Sequence, residues 1–430
     1  MKSLLSKIES LLSDLPVTVA LQLPAGRRLG PTSAAVCLSF SDWSSLATMA
    51  AGRIGAMAED FVECRLQLEG RMRELMLVAA SLLPGAPTSP DRRWWLQLLR
   101  RVRSLTAHST QRDAAQIEFH YDVSDDFYAL WLDPLRVYSC AYYRDPKLTL
   151  AQAQEAKLDH ICRKLALQPG EHFLDIGAGW GGLLLWAAEH YGVEATGITL
   201  SKNQHAYVQQ VIQSRGLTGR VRMLLCDYRD MDEALTFDKI ASVGMFEHVG
   251  HANMATYFDK IYRLLKPGGL VMNHGITAGG TEHDQLGAGM GDFIEKYIFP
   301  GGELLHVSRI LHDMAGSGLE MVDTENLRPH YARTLWAWSD ALEAQLDTAR
   351  QVLAVHGDLL RAEKILRAYR LYLAGSAMSF EQGWISLHQI LATRPAADGS
   401  RSVMSGAQSS YPFNREYTYL AKPALHAIQI

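Results

Sequence analysis

Cysteine, charge of one sign and long apolar runs are all scarce in this sequence. Its five cysteines form no CxxC pair, which argues against a disulfide framework and a zinc site and favours a reducing cytosol. A formal net charge of -4 gives no bulk attraction for nucleic acid. No apolar run reaches the ~18 residues of a spanning helix, and Lys7, Glu9 and Asp14 interrupt any signal-peptide core. We therefore expect a soluble protein, or one that lies on a membrane without crossing it.

The sequence divides into four parts by composition. The first contains the short apolar runs VTVALQL (17–23) and AAVCLSF (34–40) between Pro and Gly residues, and it predicts a small α/β domain. A Pro/Gly-punctuated linker follows, and the last part is poor in apolar residues, which predicts partial mobility. The predicted boundaries are 1–90 for the N-terminal domain, 91–116 for the linker, 117–393 for the catalytic domain and 394–430 for the tail.

The linker carries a segment that combines tryptophan with arginine. In WWLQLLRRVRSL (94–105) the apolar residues recur at helical spacing, whereas Arg100, Arg101 and Arg103 lie mostly off that face. Tryptophan beside a cationic face suits the boundary between lipid headgroups and acyl chains. An interdomain helix with solvated arginines is the alternative, and the rest of the sequence favours the membrane interpretation slightly.

From about 165 to 325 the sequence alternates apolar runs with helical patterns. Strands separated by helices of about 10–15 residues favour a parallel, doubly wound sheet. Long helices are expected over 331–380 and a last strand over 384–393. The predicted strands are 172–177, 194–200, 221–227, 237–244 and 270–276; the predicted helices are 181–192, 201–216 and 255–265, with a KPGG turn at 266–269.

A glycine-rich loop follows the first of these strands and opens a helix. LDIGAGWGG (174–182) lets the backbone approach a ligand closely, in the context of a nucleotide-binding βα turn. A dinucleotide is disfavoured because Asp175 suits an ammonium group and would repel a pyrophosphate. No Asp or Glu ends the second strand, where Thr199, Ser201 and Gln204 lie instead. The loop and the later KPGG turn resemble the pattern of S-adenosylmethionine methyltransferases.

Seven separated motifs resemble one family in their order and spacing. The sequence is similar to cyclopropane fatty acid synthases, which include bacterial phospholipid cyclopropane synthases and mycobacterial mycolic acid methyltransferases. The resemblance covers roughly 110–393. The motifs are HYDVSDDFYALWLDP (120–134), YSCAYY (138–143), LDIGAGWGG (174–182), GITLSKNQ (197–204), MFEHVG (245–250), NHGI (273–276) and YIFPGGEL (297–304).

The resemblance implies an α/β fold, with a Rossmann-like class I S-adenosylmethionine methyltransferase domain and a small N-terminal α/β lipid-binding domain. It implies methylene transfer to the cis double bond of unsaturated acyl chains of membrane phospholipids, which forms cyclopropane fatty acids. It also implies bound bicarbonate as the general base and no metal. The bicarbonate ligands carried over by motif are Cys140, Glu247, His274, the backbone of Ile276, and Tyr331.

The same carry-over gives the contacts of S-adenosylmethionine. Aromatic faces at Tyr142, Tyr143 and Phe246 suit a developing positive charge on the substrate. Ser376 stands where many family members have cysteine, so a role for a thiol at that position is lost. Because bicarbonate does not use this position, we expect activity to survive. The predicted cofactor contacts are Tyr138, Ser139, Leu174, Asp175, Ile176, Gly177, Ala178, Gly179, Trp180, Gly181, Gly182, Thr199, Leu200, Ser201, Lys202, Asn203, Gln204, Asp227 and Tyr228.

Two other functions stay open at this point. The substrate cation can end as a methyl-branched or methylene acyl chain instead of a ring. The chain can also be a lipid-binding or structural protein with a retired methyltransferase domain, although the intact glycine loop and the base residues argue against that. The resemblance further implies a bacterial homodimer at the inner face of the cytoplasmic membrane, with unsaturated phospholipid as its partner and no nucleic acid.

Overall fold

A computed structural model describes residues 12–83, 124–281, 290–299, 302–354, 357–396, 411 and 414–419. The chain forms two compact units. The first unit comprises the described residues of Met1–Leu132, Ile276–His306 and Arg328–Ser386, and the second comprises those of Asp133–Gly275, Val307–Leu327 and Leu387–Ile430.

The N-terminal part of the first unit is a four-stranded sheet with three helices. Strands β1 and β3 pair in parallel, and β2 and β4 add antiparallel at the two edges, giving the order β2-β1-β3-β4. Both predicted apolar runs supply central strands. The elements are β1 (Val19–Gln22), β2 (Arg28–Leu29), β3 (Val36–Phe40), α1 (Trp43–Ala50), α2 (Ile54–Val62), β4 (Leu66–Gly70) and α3 (Met72–Leu82).

Most of the rest of the first unit is helical, and it contains an aromatic core. Trp131 and Trp338 meet edge to face with ring centroids 5.7 Å apart, and the Tyr128 and Tyr369 hydroxyls are 2.8 Å apart in a buried hydrogen bond. Such rings bury large apolar areas while the tyrosine hydroxyls stay satisfied. The helices are α4 (Asp125–Ala129), α9 (Met290–Tyr297), α11 (Arg328–Glu343), α12 (Leu346–Leu353) and α13 (Leu359–Glu381).

The larger sheet has seven strands in the order β10-β11-β9-β8-β5-β6-β7. Strands β9, β8, β5, β6 and β7 pair in parallel, whereas β10 and β11 pair antiparallel. The strands are β5 (His172–Ile176), β6 (Glu194–Thr199), β7 (Val221–Leu225), β8 (Phe237–Val243), β9 (Leu265–Ala278), β10 (Glu320–Asn326) and β11 (Ile385–Thr393).

Helices of the second unit pack on this sheet through apolar faces. Leu158 and Ile161 of α5 and Leu184 of α6 are fully buried in one cluster with Phe173 of β5. Each such side chain contributes roughly 1.5–3 kcal/mol of hydrophobic stabilisation. The helices are α5 (Leu150–Lys164), α6 (Gly182–Tyr191), α7 (Lys202–Ser214), α8 (Met254–Leu264) and α10 (Val307–Gly316).

The predicted doubly wound α/β sheet is confirmed, and its five parallel strands follow the predicted runs closely. The last strand and the long helices over 331–380 are also found. The predicted KPGG turn is wrong, because these residues belong to β9. The β8–β9 register shifts there, Gly268 takes φ +76°, and its N–H donates to the Arg394 carbonyl at 2.7 Å, which keeps the irregular stretch inside the sheet.

Several predictions lie outside the described residues. These are the Trp/Arg segment at 94–105, the boundaries at 90 and 116, and most of the tail. Among the described residues no helix combines the length and apolarity needed to cross a bilayer.

Candidate active site

The candidate site lies at the carboxyl ends of the parallel strands in the second unit. After β5 the chain builds β6 and β7 on one side, then crosses to build β8 and β9 on the other. The crevice between β5 and β8 is therefore the point where the strand order reverses. Ligands of open α/β sheets bind at such a point. The glycine loop follows β5, and the predicted Glu247 and His274 belong to the β8 and β9 ends.

The glycine loop has the backbone that close approach to a ligand requires. Gly177, Gly179 and Gly181 have φ values of +79°, +56° and +81°, which side chains rarely adopt. Gly181 caps the N-terminus of α6, and no described atom lies within 4 Å of the point where a Cβ on Gly179 would be. The Gly177 N–H donates to the Ile198 carbonyl at 3.1 Å, which fixes the loop to the adjacent strand.

The end of β6 forms a closed set of hydrogen bonds beside that loop. Thr199 Oγ1 donates to Gln204 Oε1 at 2.8 Å and accepts from the Ser201 N–H at 3.1 Å. Ser201 caps α7 by accepting from the Gln204 N–H. The Cys226 N–H donates to the Thr199 carbonyl, which brings the following Asp227 to the same edge. The structure therefore gathers three predicted cofactor segments.

Asp227 has a local partner that the sequence did not indicate. Its carboxylate accepts from the Arg229 guanidinium at 2.7 and 2.9 Å and from the Arg229 N–H at 2.9 Å. Asp227 is buried, as is Tyr228. This pairing fixes the carboxylate at the C-terminal end of β7.

Asp175 is buried within β5 and has an unusual ionisation. Burial raises the pKa of Asp175 to about 7, and the nearby Lys157 ammonium opposes that rise. A carboxyl group in this state gains strongly from a cation brought beside it. This fits the predicted recognition of an ammonium group.

A separate segment brings Tyr138, Ser139 and Cys140 to α5. Ser139 Oγ accepts from Lys157 Nζ at 2.8 Å. Cys140 is fully buried, and its Sγ–H donates to the Ala141 carbonyl at 3.2 Å. Its sulfur is therefore buried and held against the backbone in this structure.

Glu247 meets the strand that carries His274 at a glycine. Glu247 lies in a short 3₁₀ helix, Phe246–His248, directly after β8, and His274 lies on β9. A Cβ placed on Gly275 would lie 2.0 Å from Phe246 Cε1 and 2.9 Å from Glu247 Oε1. Only glycine at this position lets the short helix rest against the strand. The Gly244 N–H also donates to the His274 carbonyl at 2.8 Å.

The His274 ring is oriented by a buried amide. Gln389 Nε2 on β11 lies 3.1 Å from His274 Nδ1, and both residues are almost fully buried. With the Gln389 amide oriented so that its nitrogen faces the ring, Nδ1 accepts and the ring hydrogen is assigned to Nε2. Among the described residues, Nε2 has no hydrogen-bond partner. Burial, then the charges of Lys157 and Lys164, lower the His274 pKa well below its ordinary value, so the ring is a neutral donor.

The remaining predicted base-site residues belong to the first unit. Tyr331 is a buried residue of α11 whose ring contacts Trp338 and Phe380, and Ile276 is the first residue of β9 in that unit. Ser376 is half-buried on α13.

The family is evident from comparison with known proteins. The profile of the family described as "Mycolic acid cyclopropane synthetase" matches residues 108–390. The chain belongs to this family. A "Probable fatty acid methyltransferase" of Pseudomonas putida is 43% identical over 97% of this chain and 100% of its own length. "Cyclopropane mycolic acid synthase 1" of Mycobacterium tuberculosis is 38% identical over 64% of this chain and 95% of its own length.

Solved structures agree with the fold. The cyclopropane synthase MmaA2 from Mycobacterium tuberculosis has a TM-score of 0.60 at 35% identity, covering 65% of this chain and 98% of its own. Mycolic acid cyclopropane synthase CmaA1 complexed with SAH and CTAB also has a TM-score of 0.60, at 37% identity, covering 65% of this chain and 98% of its own. The fold is thus that of class I methyltransferases, and the chain is an S-adenosylmethionine-dependent methyltransferase whose family modifies lipid acyl chains.

Sequence reasoning missed the supporting residues. Gln154 and Lys157 on α5, and Gln389 on β11, are buried polar side chains that contact predicted site residues. Their only signal was a polar residue on an apolar face. That pattern does not say which distant segment such a side chain reaches.

Proposed function

We propose that this enzyme transfers a methylene group from S-adenosylmethionine to the cis double bond of an unsaturated phospholipid acyl chain, forming a cyclopropane ring with bicarbonate as the general base. The observation that carries the proposal is the buried His274 Nε2–H, which has no hydrogen-bond partner among the described residues and belongs to the strand that Glu247 contacts at Gly275. A buried, oriented donor of this kind suits a small oxyanion.

The chemistry explains why such a site is needed. An isolated alkene is a weak nucleophile, so the acyl chain and the sulfonium methyl must be held together without water. After methyl transfer the substrate carries positive charge, and a proton must leave the transferred methyl for the ring to close. Phe246, which is buried in the short helix after β8, has an aromatic ring that suits this charge.

The residues present fit bicarbonate. Bicarbonate has oxygens that accept hydrogen bonds and one O–H that donates; when bound, it would supply the base for the proton. His274 would donate from Nε2 and Glu247 would accept. Because the low pKa keeps His274 neutral, the histidine acts as a donor and does not itself compete for the proton. Cys140, Tyr331 and the backbone of Ile276 join the set by family motif.

S-adenosylmethionine fits the loop at the end of β5. The open space at Gly179 and the buried Asp175 carboxyl suit a ligand that carries an ammonium group. The proposed contacts are the residues predicted above: Tyr138, Ser139, 174–182, 199–204, Asp227 and Tyr228.

The proposal is tested by product analysis. The full chain is incubated with S-adenosylmethionine, bicarbonate and vesicles of cis-unsaturated phosphatidylglycerol and phosphatidylethanolamine. We expect acyl chains to gain one CH2 unit by mass spectrometry and to show upfield cyclopropane methylene signals by proton NMR. A mass gain without those signals means a methyl-branched or methylene product, and no gain with cofactor bound overturns the lipid assignment.

The Glu247→Gln variant tests the proposed base site separately from cofactor binding. The amide keeps the shape of the side chain but adds N–H donors and loses the charge, so we expect product formation to fall by about 10²-fold or more. Affinity for S-adenosylhomocysteine, measured by calorimetry, is expected to stay within about threefold of the unsubstituted enzyme. Equal loss of both would assign Glu247 to cofactor binding instead.

The proposed membrane contact, domain roles and dimer rest on the family resemblance. We propose peripheral attachment to the inner face of the cytoplasmic membrane through the N-terminal part of the chain, as a homodimer. Co-sedimentation with the same vesicles and light scattering test these two points, and a monomer that stays in the supernatant contradicts both.

A further inference from the structure

Two side chains of helix α5, one turn apart, donate hydrogen bonds to residues 137–139, called the cofactor segment because they include the proposed cofactor contacts Tyr138 and Ser139. Gln154 Nε2 donates to the Val137 carbonyl at 3.2 Å and to the Ser139 carbonyl at 2.9 Å. Lys157 Nζ donates to Ser139 Oγ at 2.8 Å. Residues three apart share one face of a helix, so a single turn supplies three hydrogen bonds to 137–139.

The start of the same segment is fixed by a buried carboxyl group. Asp133 accepts from the Leu135 and Val137 N–H groups at 2.9 Å each. Lys157 lies close enough to Asp133 and Asp175 to interact electrostatically with both. The ammonium is therefore bonded to the cofactor segment and interacts with the acid of the glycine loop.

Lys157 is costly to keep in this position. It is only 1% exposed, and burial lowers its pKa to about 8 despite the neighbouring Asp133, Cys140 and Asp175. A methionine would fill similar space without a buried charge, but it would leave the buried Asp133 and Asp175 carboxyl groups without their counter-charge. The hydrogen bond to Ser139 and these two carboxyl groups are therefore what favour a lysine at this position.

We propose that Lys157, with Gln154, is a positioning residue that sets Ser139 and Asp175 for S-adenosylmethionine. The Lys157 ammonium fixes the Ser139 hydroxyl by donating to it, which leaves the hydroxyl hydrogen free to turn toward a ligand. Its charge also favours the ionised form of Asp175. The inference rests on the proposed cofactor role of Ser139 and Asp175, and it adds two residues of α5 that touch no proposed ligand.

The test is a double-mutant cycle on S-adenosylhomocysteine affinity. Calorimetry compares the full-length enzyme with Lys157→Met, Ser139→Ala and the double variant. We expect each single change to weaken binding by about tenfold, and the double change to weaken it no more than about threefold beyond the worse single one. We also expect Lys157→Met to raise KM for S-adenosylmethionine more than it lowers kcat.

Lys164→Met is the matched control. Lys164 lies two turns along the same helix, is also 1% exposed, and pairs with Asp323 and Glu325 away from 137–139. We expect it to change the thermal midpoint but not the affinity. Gln154→Leu, which keeps the ammonium, serves if Lys157→Met does not fold; it is expected to weaken binding by severalfold.

The results of this cycle distinguish failure of the positioning role of Lys157 from failure of the proposed cofactor role of Ser139. If Ser139→Ala leaves affinity unchanged, the proposed cofactor role of Ser139 fails. If Ser139→Ala weakens binding but Lys157→Met does not, or if the two effects simply add, the positioning role is overturned. Equal loss of affinity in Lys164→Met would also overturn it, since the effect would then be general destabilisation.

Discussion

At the scale of single residues, the second partner of each side chain decides what it can do. His274 alone is a residue that titrates near neutral pH. With Gln389 at Nδ1 and burial around the ring, it becomes a neutral donor with a fixed hydrogen at Nε2. The pKa of Asp175 shifts in the opposite direction, since burial raises it to about 7.

The Gln389 amide is expected to control the His274 tautomer. In nitrogen-15 NMR of the labelled enzyme, His274 should show the neutral Nε2–H form at pH 7 with no titration near its ordinary pKa. Gln389→Leu removes the donor to Nδ1, and we expect a mixture of tautomers and product formation lower by about tenfold. A ring protonated at pH 7, or an unchanged spectrum in the variant, would contradict this assignment.

Asp175 is expected to make stability of the ligand-free enzyme depend on pH. Its folded-state pKa of about 7 lies above the ordinary value of 3.8, so the folded state holds a proton that the unfolded state has lost. The free energy of unfolding should therefore fall as pH rises from about 4 to 7, by an amount on the order of a few kcal/mol. Urea unfolding of Asp175→Asn should lack this contribution; an identical pH slope in both proteins would refute it.

At the scale of elements, close packing of the segment after one strand on the neighbouring strand positions the predicted base residues. The 3₁₀ helix at Phe246–His248 follows β8 and rests on Gly275 of β9, because glycine leaves room for the Phe246 ring. Neither element carries the site alone. The parallel pairing of β8 and β9 brings the two together.

Gly275→Ala is expected to push the short helix Phe246–His248 away from β9. The added methyl would lie 2.0 Å from Phe246 Cε1, so the short helix must move and carry Glu247 with it. We expect product formation to fall by at least about tenfold, since small misplacements near the reacting groups are costly. Gly280→Ala is the control, because no described atom lies within 4 Å of its added methyl. Equal activity in both variants would show that the contact is unimportant.

Sequence patterns predicted the elements of the larger sheet well and their side-chain partners poorly. Apolar runs such as 172–177 are local signals, and β5 (His172–Ile176) lies within that run. The KPGG stretch was misassigned because its glycine signals a turn, whereas its hydrogen bonds run to Arg394, far along the chain. Lys157 and Gln389 were missed for the same reason: their partners are 18 and 115 residues away.

At the scale of the whole molecule, a late helix, α13, makes hydrogen bonds to the N-terminal part of the chain. Within the first unit, Arg367 of α13 donates to the Phe61 and Leu66 carbonyls at 3.0 and 3.1 Å and to Gln67 Oε1 at 2.6 Å. Its guanidinium also lies over the Phe61 ring and pairs with Glu363. One buried side chain thereby binds the N-terminal sheet to a helix some 300 residues later.

Arg367→Met is expected to loosen the N-terminal part of the first unit. It removes the guanidinium donor from two carbonyls and from the Gln67 side-chain oxygen, a loss of about 3 kcal/mol for a buried charged group. Hydrogen exchange should rise in β3 and β4 while β5 and β6 keep their protection. Lys364→Met, which removes a partly exposed pair with Glu63, should change exchange little. Uniform loosening in both variants would refute a specific role for Arg367.

The Arg367 contacts limit how this enzyme can be shortened by engineering. The mycobacterial synthase that covers 64% of this chain uses 95% of its own length to do so, which makes it an attractive template for a smaller catalyst. Deleting the N-terminal sheet and helices through α3 would remove the Phe61, Leu66 and Gln67 acceptors of Arg367 and uncover the side of α13 that packs on α2 and α3. A compact version therefore requires redesign of α13 before the gene is cut.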